Sequence, residues 1–315
     1  MSTSSQLFEF FISLILTVLL VHFFEKIYLL LTEEKTGVVT FEAVNSDSDP
    51  DPDPDPEPEG KMLGIFKEKL VNPPEELNSP ASLNASTKAK HPNDILKDFM
   101  TYNSTNAFSL NFGDAAFLAY APSNMPSIQH RLFCGIEDIY CVFLGSLNNL
   151  SNLLKQYGLS KGTNEAMFII EAYRTLRDRG PFPADQVIKE LEGSYGFVIY
   201  DNKERTVFVA LGANGKIGLF WGIAADGSIV ISENLELIKA SCAKSFASFP
   251  TGCMFHSVHG LMSYEYPTRK MKAMQRVDSE GVMCGANFKV DSQSKVPMMP
   301  RVGSEANWGT WGSQA

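Results

Sequence analysis

Apolar positions along the chain fall into runs that predict an interleaving of strands and helices. Two runs, 197–200 and 206–211, flank a polar stretch at 201–205, and a third, 219–221, follows a turn rich in Gly and Lys. The stretch 193–221 therefore reads as an antiparallel meander. Its two longer runs are almost continuously apolar and rich in Val, Ile and Phe, which predicts a sheet covered on both faces. Further strands are expected over 112–120, 139–143, 228–232 and 253–257. The clearest helix covers 164–179, where Ala166, Ile169, Ile170, Tyr173 and Leu176 form one stripe, Thr163 offers an N-cap and Gly180-Pro181 stops the helix. Shorter helices are expected over 92–100, capped by Asn93 or Asp94, over 184–192, ended by Gly193, and over 235–240. Strands interleaved with helices without strict alternation give an α+β class, with sheets between helical layers.

The two ends read differently. Residues 7–31 (LFEFFISLILTVLLVHFFEKIYLLL) form an apolar stretch about as long as the ~20 residues that span a bilayer, with Glu9, His22, Glu25 and Lys26 at edge positions. The absence of a basic segment before it and of a small-residue cleavage pattern after it argues against a cleaved signal peptide. Two alternatives stay open: a membrane anchor with the folded domain in the cytoplasm, or an upstream extension of a soluble cytoplasmic or nuclear protein whose translation starts at Met62. Residues 47–59 (DSDPDPDPDPEPE) combine charge repulsion with proline and predict an extended spacer; the prolines splay the carboxylates too far for a calcium cage. The expected division is a hydrophobic helix at 1–32, a disordered acidic linker at 33–61, a folded domain at 62–290 and a disordered tail at 291–315.

Charge sharpens this division. Of 36 acidic and 27 basic residues, twelve and three fall in 1–61, so the rest of the chain keeps 36 − 12 = 24 and 27 − 3 = 24 and is neutral. A neutral body offers no footprint for nucleic acid. The cysteines, five in number and without a CxxC pair, fit a reducing compartment and give neither a zinc site nor a disulfide framework. Sequons at Asn84, Asn103 and Asn149 provide a test of orientation, since only a luminal domain would carry glycans there.

The run LEGSYGFVIYDNKERTVFVALGANGKIGLFWG, with SFPTGCMF after it and FLGSLNNL before it, resembles the glutaminase domain of class II glutamine amidotransferases of the asparagine synthetase type. Tyr157-Gly158-Leu159 and Leu176-Arg177-Asp178-Arg179 bring the resemblance closer still to the plant aluminium-induced or stem-specific proteins. It covers 62–290 and implies a four-layer αββα sandwich of the N-terminal-nucleophile hydrolase type. It also implies a role in plant stress or hormone response.

In the resembled enzymes the chain begins at a Cys whose thiolate attacks the glutamine amide while its α-amino group serves as base. The matching position in Met62-Leu63-Gly64-Ile65-Phe66 is Leu63, and the residues before it turn the amine into an amide. The oxyanion signature Asn-Gly-Glu falls at Leu144-Gly145-Ser146, without the Asn, a loss that alone costs ~10²–10³ in rate. The Asp-Gly-Glu signature that reads the substrate amine falls at Thr163-Asn164-Glu165. The resemblance thus implies a vestigial pocket around Leu63, Leu144, Gly145, Ser146, Asn164 and Glu165, with Leu63 plugging it.

Other residues carry weaker chemistry. Cys134 and Cys141 lie in strand-like apolar sequence and read as small hydrophobes sooner than as substitute nucleophiles. His256, His259 and Glu265 lack the spacing of a metal set, and 212–216 lacks that of a phosphate loop. The charges of Leu176–Arg177–Asp178–Arg179 read by default as a solvated helix face with intrahelical pairs, with an interface role for Arg177 and Arg179 as the alternative. The expected function is a non-catalytic binding or regulatory module with no metal and no cofactor, its candidate partners being a second copy, another protein, an amino acid, or a membrane through 7–31. The alternatives are an active amidohydrolase with an unrecognised nucleophile and a membrane-tethered interaction scaffold.

Overall fold

The computed structural model describes residues 61–79, 88–103, 107–122, 131–178, 184–277 and 283–295. The expected anchor at 7–31, the acidic spacer at 47–59, Arg179 and Asn84 lie outside the described residues. Among the described residues no helix is long and apolar enough to cross a membrane.

The strand β1 (Lys61–Phe66) is followed by helix α1 (Pro92–Tyr102), the hairpin β2 (Phe108–Asn111) and β3 (Ala116–Ala121), and a second hairpin β4 (Arg131–Ile136) and β5 (Ile139–Leu147). Three helices come next, α2 (Leu150–Tyr157), α3 (Glu165–Asp178) and α4 (Ala184–Lys189), then strands β6 (Gly193–Asp201), β7 (Thr206–Leu211), β8 (Phe220–Ile223) and β9 (Ile229–Ser232). Helix α5 (Leu235–Cys242) leads to β10 (Phe246–Ser248), β11 (Cys253–His256) and β12 (Gly260–Ser263), and a long ribbon of β13 (Arg269–Val277) with β14 (Met283–Lys295) closes the described chain. One six-stranded sheet has the order β10-β8-β9-β1-β3-β2 and the other β12-β11-β7-β6-β5-β4. Every strand pair in them is antiparallel.

The apolar pattern explains the stacking. In β1, Met62 and Phe66 enter an apolar layer shared with Leu144, Val198 and Tyr200 of the other sheet, while Leu63 and Ile65 point the opposite way, toward Ile95 and Phe99 of α1 and Ile238 of α5. On the far side of the second sheet, Phe143, Phe197 and Ile199 pack under Phe168, Ile169 and Tyr173 of α3. Both sheets are therefore covered on both faces, as the continuous runs in β6 and β7 predict. Trp221 joins the layers: its ring meets Phe249, Phe255 and Phe288 edge-on at 5.1, 5.5 and 5.6 Å.

Several expectations need correction. The meander stops after β7, because Ile217 and Leu219 cross the space between the sheets and carry β8 into the other one. The expected strand 112–120 is a hairpin: Gly113 adopts a left-handed φ of 64° and its N–H donates to Asn111 Oδ1. Pro92 takes the first turn of α1, with His91 rather than Asn93 or Asp94 at the cap. Asn164 caps α3 by accepting the Met167 N–H at 2.9 Å, while the Thr163 hydroxyl pairs with Ser160. Helix α4 ends at Lys189, and Gly193 opens β6 instead of ending the helix. Strand β14 runs past Val290 to Lys295 against β13, and the rest of the expected tail, 296–315, lies outside the described residues.

Both family motifs turn out to fasten the fold. In Tyr157-Gly158-Leu159, Gly158 has φ 69°, its N–H donates to the Lys155 carbonyl, and the Leu159 N–H donates to the Leu154 carbonyl at 2.8 Å, which is a Schellman ending of α2. Tyr157 then meets Phe168 of α3 edge-on at 5.1 Å. In Leu176-Arg177-Asp178, Leu176 packs into the helical layer and Arg177 is not a solvated charge. Its guanidinium donates to Asp178 at 2.6 Å and to the wholly buried Asp201 at 2.9 Å. Asp201 also accepts the N–H groups of Lys203 and Glu204, so Arg177 clamps the β6–β7 turn onto α3. Replacing Arg177 by Met should lower stability by ~2–3 kcal/mol, because Asp201 keeps its backbone donors but loses its countercharge. Lysine should recover only part of this, and Asp178→Asn should change stability by less than ~1 kcal/mol; urea unfolding of the three variants checks the order.

Candidate functional site

At the start of β1, beside Leu63, the structure gathers polar groups from both sheets. Strand β9 ends at Ser232, and Asn234 caps α5 by accepting the N–H groups of Glu236 and Leu237. The tight corner between them is fixed by the Ser232 hydroxyl, which donates to the Met62 carbonyl at 2.7 Å and accepts the Asn234 N–H. Glu233, held in this corner, turns back to β1, and its Oε1 accepts the Met62 N–H at 2.9 Å. Arg131, at the first residue of β4, places Nε 3.7 Å from the same oxygen, with side chains only 9% and 13% exposed. The Tyr120 hydroxyl donates to the Arg131 carbonyl at 2.6 Å, and the Lys61 ammonium lies 3.7 Å from the centre of the Tyr102 ring.

Burial dominates the electrostatics of this corner. It pushes the Glu233 carboxyl up to about 7, against the pull of Arg131, the backbone N–H groups and Lys61. It lowers Lys61, against the attraction of Glu233, and pushes Tyr120 up to about 12. Glu233 Oε2 has no hydrogen-bond partner among the described residues. A carboxyl poised near neutrality can move a proton, but no nucleophile stands beside it. The Ser232 proton is committed to a backbone carbonyl, and Leu63 is wholly buried on the helix side of its sheet.

The expected pocket residues occupy three different layers. Leu63 lies under α1 and α5. Leu144 faces the layer between the sheets, directly across the ladder from Arg131, and so belongs to the same corner as Glu233. Gly145 is next to it with φ 94°, where a Cβ would overlap the Ser194 carbonyl; only glycine fits this position. Ser146 is half-buried opposite Ser194. Asn164 and Glu165 open α3 in the helical layer beyond the second sheet, where Asn164 serves as a cap. Arg131 and Glu233 were not expected. The one local signal for Glu233 is an acidic residue directly after the wholly buried strand β9; nothing local marks Arg131.

The other candidates resolve into packing. Cys134 and Cys141 face each other in register on β4 and β5, both buried, with burial pushing the Cys134 thiol up to about 11 and Cys141 well above its ordinary value. At such values the thiolate fraction at neutral pH is ~10⁻⁴, too small for a nucleophile. His256 Nδ1 accepts the Val258 N–H, and burial and the nearby His259 lower His256 to about 4. Among the described residues no three metal-ligating side chains come together. Asn214 ties 212–216 to Gly193 and Ser194 as a strand connection. Asn149 spends its side chain on Glu190 and Glu192.

The corner gives stability a pH dependence. Since the folded pKa of Glu233 lies above its ordinary 4.5, the folded chain holds the proton more tightly, and the contribution is full below 4.5 and lost as pH rises through about 7. Between pH 5 and 8 the chain should lose up to ~3 kcal/mol from this group, an upper bound given its residual exposure. Glu233→Gln should flatten that slope, which denaturant unfolding at the two pH values measures.

Comparison with known proteins places these features. Over 149 residues the chain is 40% identical to the stem-specific protein TSJT1 of Nicotiana tabacum, covering 47% of this chain and 99% of that protein. Over 73 residues it is 36% identical to a probable asparagine synthetase (glutamine-hydrolyzing) of Dictyostelium discoideum, which is 23% of this chain and 13% of the synthetase. Among solved structures it is similar to the glutamine phosphoribosylpyrophosphate amidotransferase of B. subtilis, with a TM-score of 0.40, 11% identity, and 67% of this chain and 50% of that one covered. It is also similar to a glutamine aminotransferase class-II domain protein from Silicibacter pomeroyi, with a TM-score of 0.33, 9% identity and coverages of 64% and 96%. The chain thus spans about half of the amidotransferase and a small part of the synthetase. Residues 63–290 match the family model described as aluminium induced protein, and the chain belongs to that family.

Proposed function

We propose that residues 62–290 are a non-catalytic, glutaminase-like domain of the N-terminal-nucleophile hydrolase type, acting as a binding or regulatory module in a plant stress response. The observation that carries this reading is Leu63: the position matched to the nucleophile is apolar, wholly buried and inside a strand. The Leu63 nitrogen is an ordinary peptide nitrogen joined to Met62, where an enzyme of this kind has a free amine on its nucleophile. Cys134, Cys141, Cys242 and Cys253 are buried, which supports the absence of a substitute thiolate at these four positions. The names of the relatives, glutamine-hydrolyzing synthetases and a stem-specific protein, support the class of ligand and the plant setting. An amino acid is the ligand class that this reading favours. A second copy of the chain or another protein is the partner through which the module acts. The apolar pattern at 7–31 supports membrane attachment of the full chain, with the folded domain in the cytoplasm.

Three measurements test this reading. The full chain should release no glutamate from glutamine, and Leu63→Cys should not restore release while Met62 precedes it; release that disappears on replacing one cysteine would establish the active-enzyme alternative. In a thermal-shift screen of glutamine, asparagine and glutamate, an amino acid at 100 times its dissociation constant should add ~2.7 kcal/mol of stability, whereas no shift with any of them would leave a protein partner as the target. Membrane fractionation of the full chain should retain it in the pellet, and a chain starting at Met62 should lose that retention.

A further inference from the structure

The ribbon β13–β14 has two faces of opposite character. Its inner face is fixed to the body by Phe288 and Ala286, with Met271 and Ala273 beside them, and Phe288 meets Trp221. On β13 the outward face presents Lys270, Lys272 and Met274, with Met274 42% exposed, and Lys289 and Asn287 continue it on β14. Lys272 stands directly across the ladder from Lys289, and Met274 across from Asn287. Like charges directly opposed on one face destabilise a ribbon, and among the described residues Lys270, Lys272 and Lys289 have no ion-pair partner. Acidic positions within the two strands are limited to Asp291, against Arg269, Lys270, Lys272, Arg276, Lys289 and Lys295. Lys270, Lys272 and Lys289 thus form a local cationic patch on a domain that is neutral as a whole.

The countercharge lies in the same chain. Asp47, Asp49, Asp51, Asp53, Asp55, Glu57 and Glu59 alternate with other residues immediately before β1. A proline-rich segment reaches about 3.1 Å per residue, so 47–59 can extend ~40 Å. The radius of gyration of a domain the size of 63–290 is ~17 Å, so the extended segment is more than twice that length. Covalent attachment also keeps the acidic groups at an effective concentration in the millimolar range. We propose that the acidic segment 47–59 docks on the lysine face of β13–β14 of its own chain. This contact neutralises the opposed Lys272–Lys289 pair and covers Met274, and an anionic competitor or high salt releases it.

Carbodiimide cross-linking of the full chain at low ionic strength, with peptides mapped from the monomer, tests the contact. Links should join Lys270, Lys272 or Lys289 to residues 47–59, and should be lost at ~0.5 M salt, where screening shortens to a few ångströms. In parallel, acetylation of those three lysines should run several-fold faster in a full chain with Asp47, Asp49, Asp51, Asp53 and Asp55 changed to Asn, while Lys155 and Lys189 on the helices keep their rates. Links found only between two copies, or equal acetylation rates in the two chains, would overturn the intrachain contact and leave the ribbon to a separate polyanion.

Discussion

Burial of both sheets on both faces is the constraint on which the rest of this structure depends. Backbone groups of β1, β5, β6 and β7 satisfy one another in the ladders, and the side chains above and below them are almost all apolar. Polar side chains are thereby expelled to strand ends and corners. Two such corners organise the chain: Asp201, where β6 turns into β7 under Arg177, and Glu233, where β9 turns into α5 beside β1. In each a buried carboxylate gathers backbone N–H groups and one arginine. At Asp201 the guanidinium is within hydrogen-bonding distance, whereas at Glu233 the arginine is 3.7 Å away, and burial prevails over attraction.

That difference bears on chemistry. A corner built for catalysis would surround a reactive atom with donors aimed at developing charge. The β1 corner holds a poised carboxyl, an arginine and a glycine with left-handed geometry at 145, yet Leu144 offers no side-chain donor and Leu63 turns away into the apolar layer. A leucine there costs the fold nothing. Burying it contributes ~2 kcal/mol, where a thiol and a free amine would have required hydration or a partner. A leucine at this position is therefore compatible with the stacked sheets and stabilises them.

Legibility in the sequence followed the range of the interactions. The runs at β6 and β7, the stripe of α3 and the start of β1 are local patterns, and each was readable from neighbouring residues. The crossing after β7 was not, because an apolar run after a Gly-Lys turn looks the same whether it pairs with β7 or enters the other sheet. The Arg177 clamp was misread as solvated charge because Asp201 is 24 positions away. The Glu233–Met62 bond spans 171 positions, and the one local sign of Glu233, an acidic residue after a buried strand, fits a helix-capping neighbour equally well. Strands β13 and β14 were missed for a different reason: their outward face is so rich in lysine that the apolar alternation of Met271, Ala273, Ala286 and Phe288 is diluted below a recognisable pattern.

The same dilution carries information about the ribbon. Edge ribbons in compact domains commonly carry lysine to discourage pairing with other strands. That explanation accounts for lysines spread along an edge. It does not account for two of them placed directly opposite each other on one face beside an exposed methionine, since separated positions would protect the edge without the repulsion. Within a layered body that holds its buried charges in paired corners, an exposed face of opposed lysines is the exception that calls for a partner outside the sheets. The chain's opposite end supplies the complementary charge.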